Sequence, residues 1–167
     1  MALLGSGTIG AMAATTSTER VQQALAATGS PARVVFLEAP GRTAAEAAAA
    51  LRIELGQIVK SLVFEVAGEP LLLLVAGDRR VDPAKVERAT GRSPVVMASP
   101  ERVRAATGFA IGGVSPIGHP GKLETLVDES LARFEVLWAA AGAPEAVFQT
   151  TLGALLEMTG GAPAPIT

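Results

Sequence analysis

The chain has no cysteine, which excludes disulfides, thiolate nucleophiles and Cys-based zinc or iron–sulfur sites. Its single histidine excludes a metal centre built from several imidazoles. Long apolar runs are missing too: the most hydrophobic stretch, Leu71 to Val75, is far shorter than the about 20 residues a bilayer crossing needs, and reads as a buried strand. Catalytic signatures are equally scarce. There is no GxSxG elbow, no P-loop and no HExxH helix, and the glycines do not follow a strand at dinucleotide-fingerprint spacing. Nucleophile chemistry of the ordinary kinds has little support, and neither a metal nor a cofactor is expected.

What remains is the composition of one globular domain. Of 167 residues, 49% are apolar and 18% charged, enough to build a core and too little charge for a disordered chain. The net charge of −2 hides an uneven distribution. Arg79, Arg80, Lys85, Arg88, Arg92, Arg102 and Arg104 fall in one stretch, whereas Leu123 to Thr167 is acidic apart from Arg133. Such a stretch is either a basic face for a polyanion or a solvated pair of helices with mixed charge. Residues 1–15, small and uncharged at their start, lack the basic n-region of a signal sequence and read as a disordered extension of a cytoplasmic protein.

Local signals divide residues 16–160 into elements. Thr16 with Glu19 and Thr43 with Glu46 have capping-box spacing, each opening a helix, and Pro40–Gly41 marks a turn between them. Asp82-Pro83 and Ser99-Pro100 open two further helices, closed at Gly91 and Gly108. Arg33 to Leu37 reads as a strand, and Ile58 to Val66 and Pro70 to Ala76 as a hairpin turning at Gly68, its second strand apolar on both faces and so central. Short strands follow at Pro94–Ala98, Glu124–Asp128, Phe134–Ala139 and Ala146–Thr150, then a helix at Leu152–Met158 and a frayed tail over residues 161–167. This order is neither βαβ alternation nor a helix run. It predicts a single α+β domain with a mixed, curved, barrel-like sheet and helices packed outside.

Two features carry chemistry. Lys60 is one of three lysines and sits in the apolar strand IVKSLVF, where it either snorkels to an edge or points into a polar cavity. Ile111 to Gly121, IGGVSPIGHPG, combines glycines and prolines with the sole histidine. It is either a tight connection or a loop held in one shape to present main-chain groups to a ligand.

Lys60-Ser61-Leu62-Val63-Phe64, the apolar hairpin strand after it, the helix Asp82 to Gly91 and Gly112-Gly113-Val114-Ser115-Pro116-Ile117-Gly118 together resemble the YbaK/ProX family of aminoacyl-tRNA deacylases, which includes the editing domain of bacterial prolyl-tRNA synthetases. The resemblance spans about residues 17–160. It implies hydrolysis of the ester between a wrong amino acid and the terminal adenosine of tRNA, with Lys60 as the principal catalytic-site residue and Gly112, Gly113, Ser115 and Pro116 forming the loop that holds ester and water. It places Phe36, Leu37, Ser61, Gly118 and His119 around the substrate. It lays the acceptor end of aminoacyl-tRNA along Arg79, Arg80, Lys85, Arg88, Arg102 and Arg104, and admits prolyl-tRNA synthetase as a partner and a monomer or homodimer as the working form.

Within that implied site, His119 has the ordinary pKa of a general base but lies outside the loop motif, and Ser115 lacks a visible base and is more naturally a loop or substrate contact. The segment Ala146 to Gln149 has no acidic residue, unlike the branch of the family specific for cysteine, and the apolar character around Phe36 suits alanine or serine. Two other readings use the same residues: a noncatalytic module that binds tRNA or a synthetase, and a small-molecule enzyme in which Lys60 forms a Schiff base.

Overall fold

The computed structural model describes residues 15–39 and 41–167. The expected amino-terminal extension, save its last residue, and the turn at Pro40 lie outside the described residues. Among the described residues five α-helices are formed: α1 (Ser17–Ala27), α2 (Ala44–Leu51), α3 (Pro83–Thr90), α4 (Pro100–Thr107) and α5 (Leu152–Thr159). Their starts follow the sequence closely, because caps are local. Thr16 accepts from the Glu19 N–H while the Glu19 carboxylate accepts from the Thr16 N–H, a complete capping box. Asp82 and Ser99 cap α3 and α4 with proline at the first turn.

The strands are β1 (Val34–Phe36), β2 (Ile58–Val66), β3 (Glu69–Ala76), β4 (Val95–Met97), β5 (Thr125–Asp128), β6 (Leu137–Ala140), β7 (Ala146–Thr150) and β8 (Ala162–Ala164). They form one mixed eight-stranded sheet in the order β1-β7-β6-β2-β3-β5-β8, with β4 paired to β2 beside this path. Among the described residues nothing joins β1 to β8, so the sheet is open, without the closure of a barrel. β2 and β3 are the expected hairpin. Ala67 and Gly68 at its tip both have positive φ, 52° and 84°, the pattern whose twist suits a two-residue turn.

β3 is central and buried on both faces, as its unbroken apolar run requires. Leu72, Leu74 and Ala76 join Val59 and Val63 of β2 in the larger core, closed by Val21 and Leu25 of α1, Val103 of α4, Leu155 of α5 and Phe109, Val114 and Ile117. Leu71, Leu73 and Val75 face the other way, onto Val86 of α3 and onto Leu126 and Ile166. A third, smaller cluster seats Ala47 and Ala48 of α2 on Ile58.

Two expectations are corrected. The tail is no frayed end: β8 pairs in parallel with β5, Ile166 is fully buried, and its N–H donates to Asp128 Oδ1 at 2.9 Å. Glycine and proline in that segment suggested fraying, but an edge strand tolerates Pro163, which lacks only a donor. The strand expected from Phe134 begins at Leu137, because Glu129–Arg133 forms a 3-10 turn that carries Phe134 under Gly56.

β2 has one feature that matters for the site. Its edge away from β3 carries β6 at Ile58 and Val59 and β4 from Phe64 to Val66, leaving the stretch between without a strand neighbour.

Candidate active site

A cavity of about 350 Å3 opens at this break in the sheet. Lys60, Ser61 and Leu62 form its floor. Ala98, Val103, Gly112 and Val114 close one side, Ala44, Ala47 and Trp138 the other, and Ala140, Ala143, Ala146 and Val147 the back. Met97 and Ile111 also line it and are 72% and 62% exposed, which makes them its apolar lips. Among the described residues its wall contains no carboxylate and no imidazole; its charged groups are Lys60 and Arg42.

Successive strand residues face opposite ways, so Lys60 and Ser61 approach the cavity from the two sides of the sheet. The Lys60 ammonium donates to the carbonyl of Arg79, just past the end of β3. Burial lowers its pKa below the ordinary lysine value, and the positive charge of Arg80 pushes the same way against the opposing pull of Asp78. Asp78 is itself held by Arg133 through paired bonds of 2.9 and 2.7 Å, and that guanidinium stacks 5.0 Å over the Phe134 ring. Arg133 thus fixes the one carboxylate that steadies Lys60.

Ser61 faces the larger core. Its hydroxyl oxygen is buried and has no hydrogen-bond partner. A buried hydroxyl left alone costs about 1–3 kcal/mol.

The glycine-rich loop meets the cavity only at Ile111, Gly112 and Val114. Gly112 adopts φ 98°, and Gly113 lies so near the Ala143 main chain that a Cβ would stand 2.8 Å from its nitrogen. Gly113 and Pro116 are buried behind the wall. Ser115 is fully buried and its Oγ accepts the Ile117 N–H at 3.2 Å, so its hydroxyl shapes the loop. His119 turns from the cavity and donates from Nε2 to the Ser115 carbonyl at 2.8 Å, its ring edge-on to Phe109 at 6.1 Å. Gly118 packs on the main chain of Arg20 and Val21 in α1. Burial holds the His119 pKa below the ordinary imidazole value, against the opposing effect of the Ser115 bond. The unfolded chain therefore takes up this proton first, and stability contributed by neutral His119 should fall as pH drops below about 6.5. Thermal melts between pH 7 and 5 should show a smaller pH dependence in His119→Gln; equal slopes would remove the effect.

Phe36 and Leu37, expected around the substrate, do not line the cavity. Phe36 is 60% exposed on edge strand β1, one strand beyond the back wall, and Leu37 packs in the cluster beneath α2. The expected basic face is partly occupied: Arg102 pairs with Glu65 at 2.8 Å, Arg92 with Glu124 at 2.7 Å, and Lys85 donates to the Thr167 carbonyl. Arg79 lies 4.0 Å from Asp78, while Arg80, Arg88 and Arg104 are exposed. Of the residues singled out in the sequence, the structure brings Lys60, Ser61 and Gly112 into one cavity. Arg42, Trp138, Met97 and Ile111 were missed as part of it; only the exposed apolar character of the last two hints at such a place, and it shows only after folding.

Fold and site together define an α+β domain whose cavity presents main-chain groups and one partly buried cation, with no nucleophile–base pair among its described lining residues. No metal-holding group of His, Asp or Glu occurs among the described residues, and none of their helices is long and apolar enough to cross a membrane. The chain belongs to the aminoacyl-tRNA editing domain family, whose model matches residues 38–158. It is 35% identical over 127 residues to the uncharacterized protein YwhH of Bacillus subtilis, covering 75% of this chain and 80% of that protein. It is 36% identical over 96 residues to the proline–tRNA ligase of Moorella thermoacetica, where the match takes 57% of this chain but only 17% of the ligase. A crystal structure described as a candidate trans-editing enzyme for prolyl-tRNA synthetase superposes with a TM-score of 0.86 at 46% identity, covering 93% of this chain and 99% of that one.

Proposed function

We propose that this protein is a free-standing deacylase that hydrolyses mischarged aminoacyl-tRNA, removing a small noncognate amino acid, alanine or serine before others, with tRNA(Pro) as the carrier. The observation that carries the reading is the cavity at the break beside β2. It offers Lys60 and the unpaired main chain of Ser61 to an ester in a wall that holds no general base of its own.

Hydrolysis of an activated ester needs a donor aimed at the developing oxyanion and a held water. The Lys60 ammonium supplies a cation at the floor, exchanging the Arg79 carbonyl for a substrate oxygen, and the loop at Gly112 supplies a close main-chain wall. With no imidazole or carboxylate in the wall, activation of the water falls to the substrate's own ribose hydroxyl. Ala98, Val103 and Val114 leave room for a methyl or hydroxymethyl group; such a pocket selects chiefly by excluding larger side chains, since one methylene offers only about 1–3 kcal/mol. Arg42 at the cavity and Arg79, Arg80, Arg88 and Arg104 outside it are the cations left to meet acceptor-stem phosphates, contacts that weaken with salt. The working compartment under this reading is the cytoplasm, where tRNA is charged.

The test is a deacylation panel with tRNA(Pro) and tRNA(Ala) carrying Ala, Ser, Cys, Thr or Pro. The expected result is hydrolysis of Ala- or Ser-tRNA(Pro) well above the spontaneous rate and little of Pro-tRNA(Pro). Silence across the panel with salt-sensitive tRNA binding retained would replace the deacylase by a binding module.

A further inference from the structure

Ala98 N–H bonds to the Val63 carbonyl and Gly77 N–H to the Ile58 carbonyl, so odd-numbered residues of β2 direct their main-chain groups to the interrupted edge and even-numbered ones to β3. Pairing with β6 stops at Val59–Ala139 and pairing with β4 starts at Phe64–Met97. Ser61 therefore turns both its N–H and its C=O toward the interrupted edge, where the cavity lies, with no strand partner. Strand main-chain groups ordinarily complete a ladder, and a vacant N–H and C=O pair on one residue is the template on which an extended ligand can add to the sheet.

An α-aminoacyl ester carries N, Cα and C=O in the order and spacing of one strand residue. We propose that the aminoacyl group docks at Ser61 as a one-residue antiparallel strand: its carbonyl accepts the Ser61 N–H and its α-ammonium donates to the Ser61 carbonyl. This rests on the deacylase reading and says how that site holds its substrate. Residues that exchange both bonds in an antiparallel pair carry their side chains on the same face. The side chain of an L-aminoacyl group then lies on the Ser61 face of the sheet, against Ala98, Val103 and Val114, whereas that of a D-aminoacyl group is thrown to the Lys60 face. Ser61 is then a main-chain positioning residue, and the selection its two bonds impose is for the L configuration.

The reaction itself is ordinary. Water adds to the carbonyl carbon, the bond to the ribose oxygen breaks, and one proton of the water ends on that oxygen while the other leaves the new carboxylic acid for solvent. The Ser61 N–H follows the carbonyl oxygen through the oxyanion stage.

The experiment compares L-Ala and D-Ala on tRNA(Pro), alongside binding of the amide analogues 3′-deoxy-3′-(L-alanylamino)adenosine, its D isomer and the 3′-propionylamino analogue, which lacks the α-ammonium. Wild type should hydrolyse L-Ala at least tenfold faster than D-Ala and bind the L amide correspondingly tighter. The propionylamino analogue, which cannot donate to the Ser61 carbonyl, should bind at least tenfold more weakly than the L-alanylamino one. Equal treatment of L and D species in both assays, or a propionylamino analogue bound as tightly as the L-alanylamino one, overturns the docking mode while leaving the deacylase standing. Absence of all hydrolysis with tight, L-selective amide binding has the opposite meaning: the docking mode holds and the deacylase reading fails.

Discussion

Lys60→Ala should lower kcat/KM for the preferred aminoacyl-tRNA by roughly 100- to 1,000-fold, the size seen when one preorganised donor to an oxyanion is removed. The fold should survive, because the lysine contributes little that holds the sheet. Its ammonium bonds only the Arg79 carbonyl, on an exposed residue that water can satisfy, and burial already disfavours its charge. Thermal melts of the variant should match wild type or lie slightly above it. The lowered pKa adds a signature. Lys60 loses its proton at a lower pH than a free lysine, so catalysis above the spontaneous rate should decline on the alkaline side earlier than an unperturbed lysine would require. Because the folded state binds this proton less tightly than the unfolded one, stability should rise over the same window, up to the ordinary value near 10.5. Lys60→Arg keeps a cation that does not titrate there and should flatten the decline while recovering only part of the rate, since a planar fork replaces a point charge. A Lys60→Ala enzyme as fast as wild type would remove Lys60 from the chemistry.

Asp128→Ala should cost about 3 kcal/mol, a drop in Tm of roughly 6–12 °C for a chain of this size. The carboxylate is 1% exposed. It accepts the Ser130 N–H at 3.1 Å, the Ser130 hydroxyl, the Ile166 N–H at 2.9 Å and the Thr167 hydroxyl at 2.9 Å. Removing it strands a buried main-chain donor and loosens β8 from β5. Burial alone would raise the Asp128 pKa, but these bonds together bring it below the ordinary value. A depressed carboxylate stabilises in full above its unfolded pKa, near 3.8, and that contribution is lost as pH falls through the folded one. Wild type should therefore lose this stability only in strong acid, and the variant should lack it at neutral pH. Hydrogen exchange at Ile166 gives the local readout: protection unchanged in Asp128→Ala would mean that the tail is held by something else.

The contrast between these two residues reflects what a sequence can carry. Lys60 stood out because a charge inside IVKSLVF is locally anomalous, and the caps at Thr16, Asp82 and Ser99 stood out because a cap is written within four residues. The hairpin and the two-faced burial of β3 were legible for the same reason. Asp128 was not, since its partners at Ile166 and Thr167 arrive from the far end of the chain. Parallel pairing of β2 with β6, of β3 with β5 and of β5 with β8 is likewise set by tertiary packing. The site divided along the same line. Ser115 and His119 had suggestive chemistry but are used up within the loop, and Phe36 lies in a strand that was foreseen but at an edge that was not. The opening at Ser61 depends on the registers of three strands at once, and no window of sequence contains all three.

That opening also bears on how the protein behaves in a crowd. An uncovered strand edge is ordinarily a template for neighbouring chains and a route to self-association. Here the uncovered stretch is cut short at both ends, by β6 at Val59 and by β4 at Phe64, and a second extended chain laid along β2 would run into one or the other. The sheet can leave main-chain groups unsatisfied at Ser61 without becoming a seam between molecules.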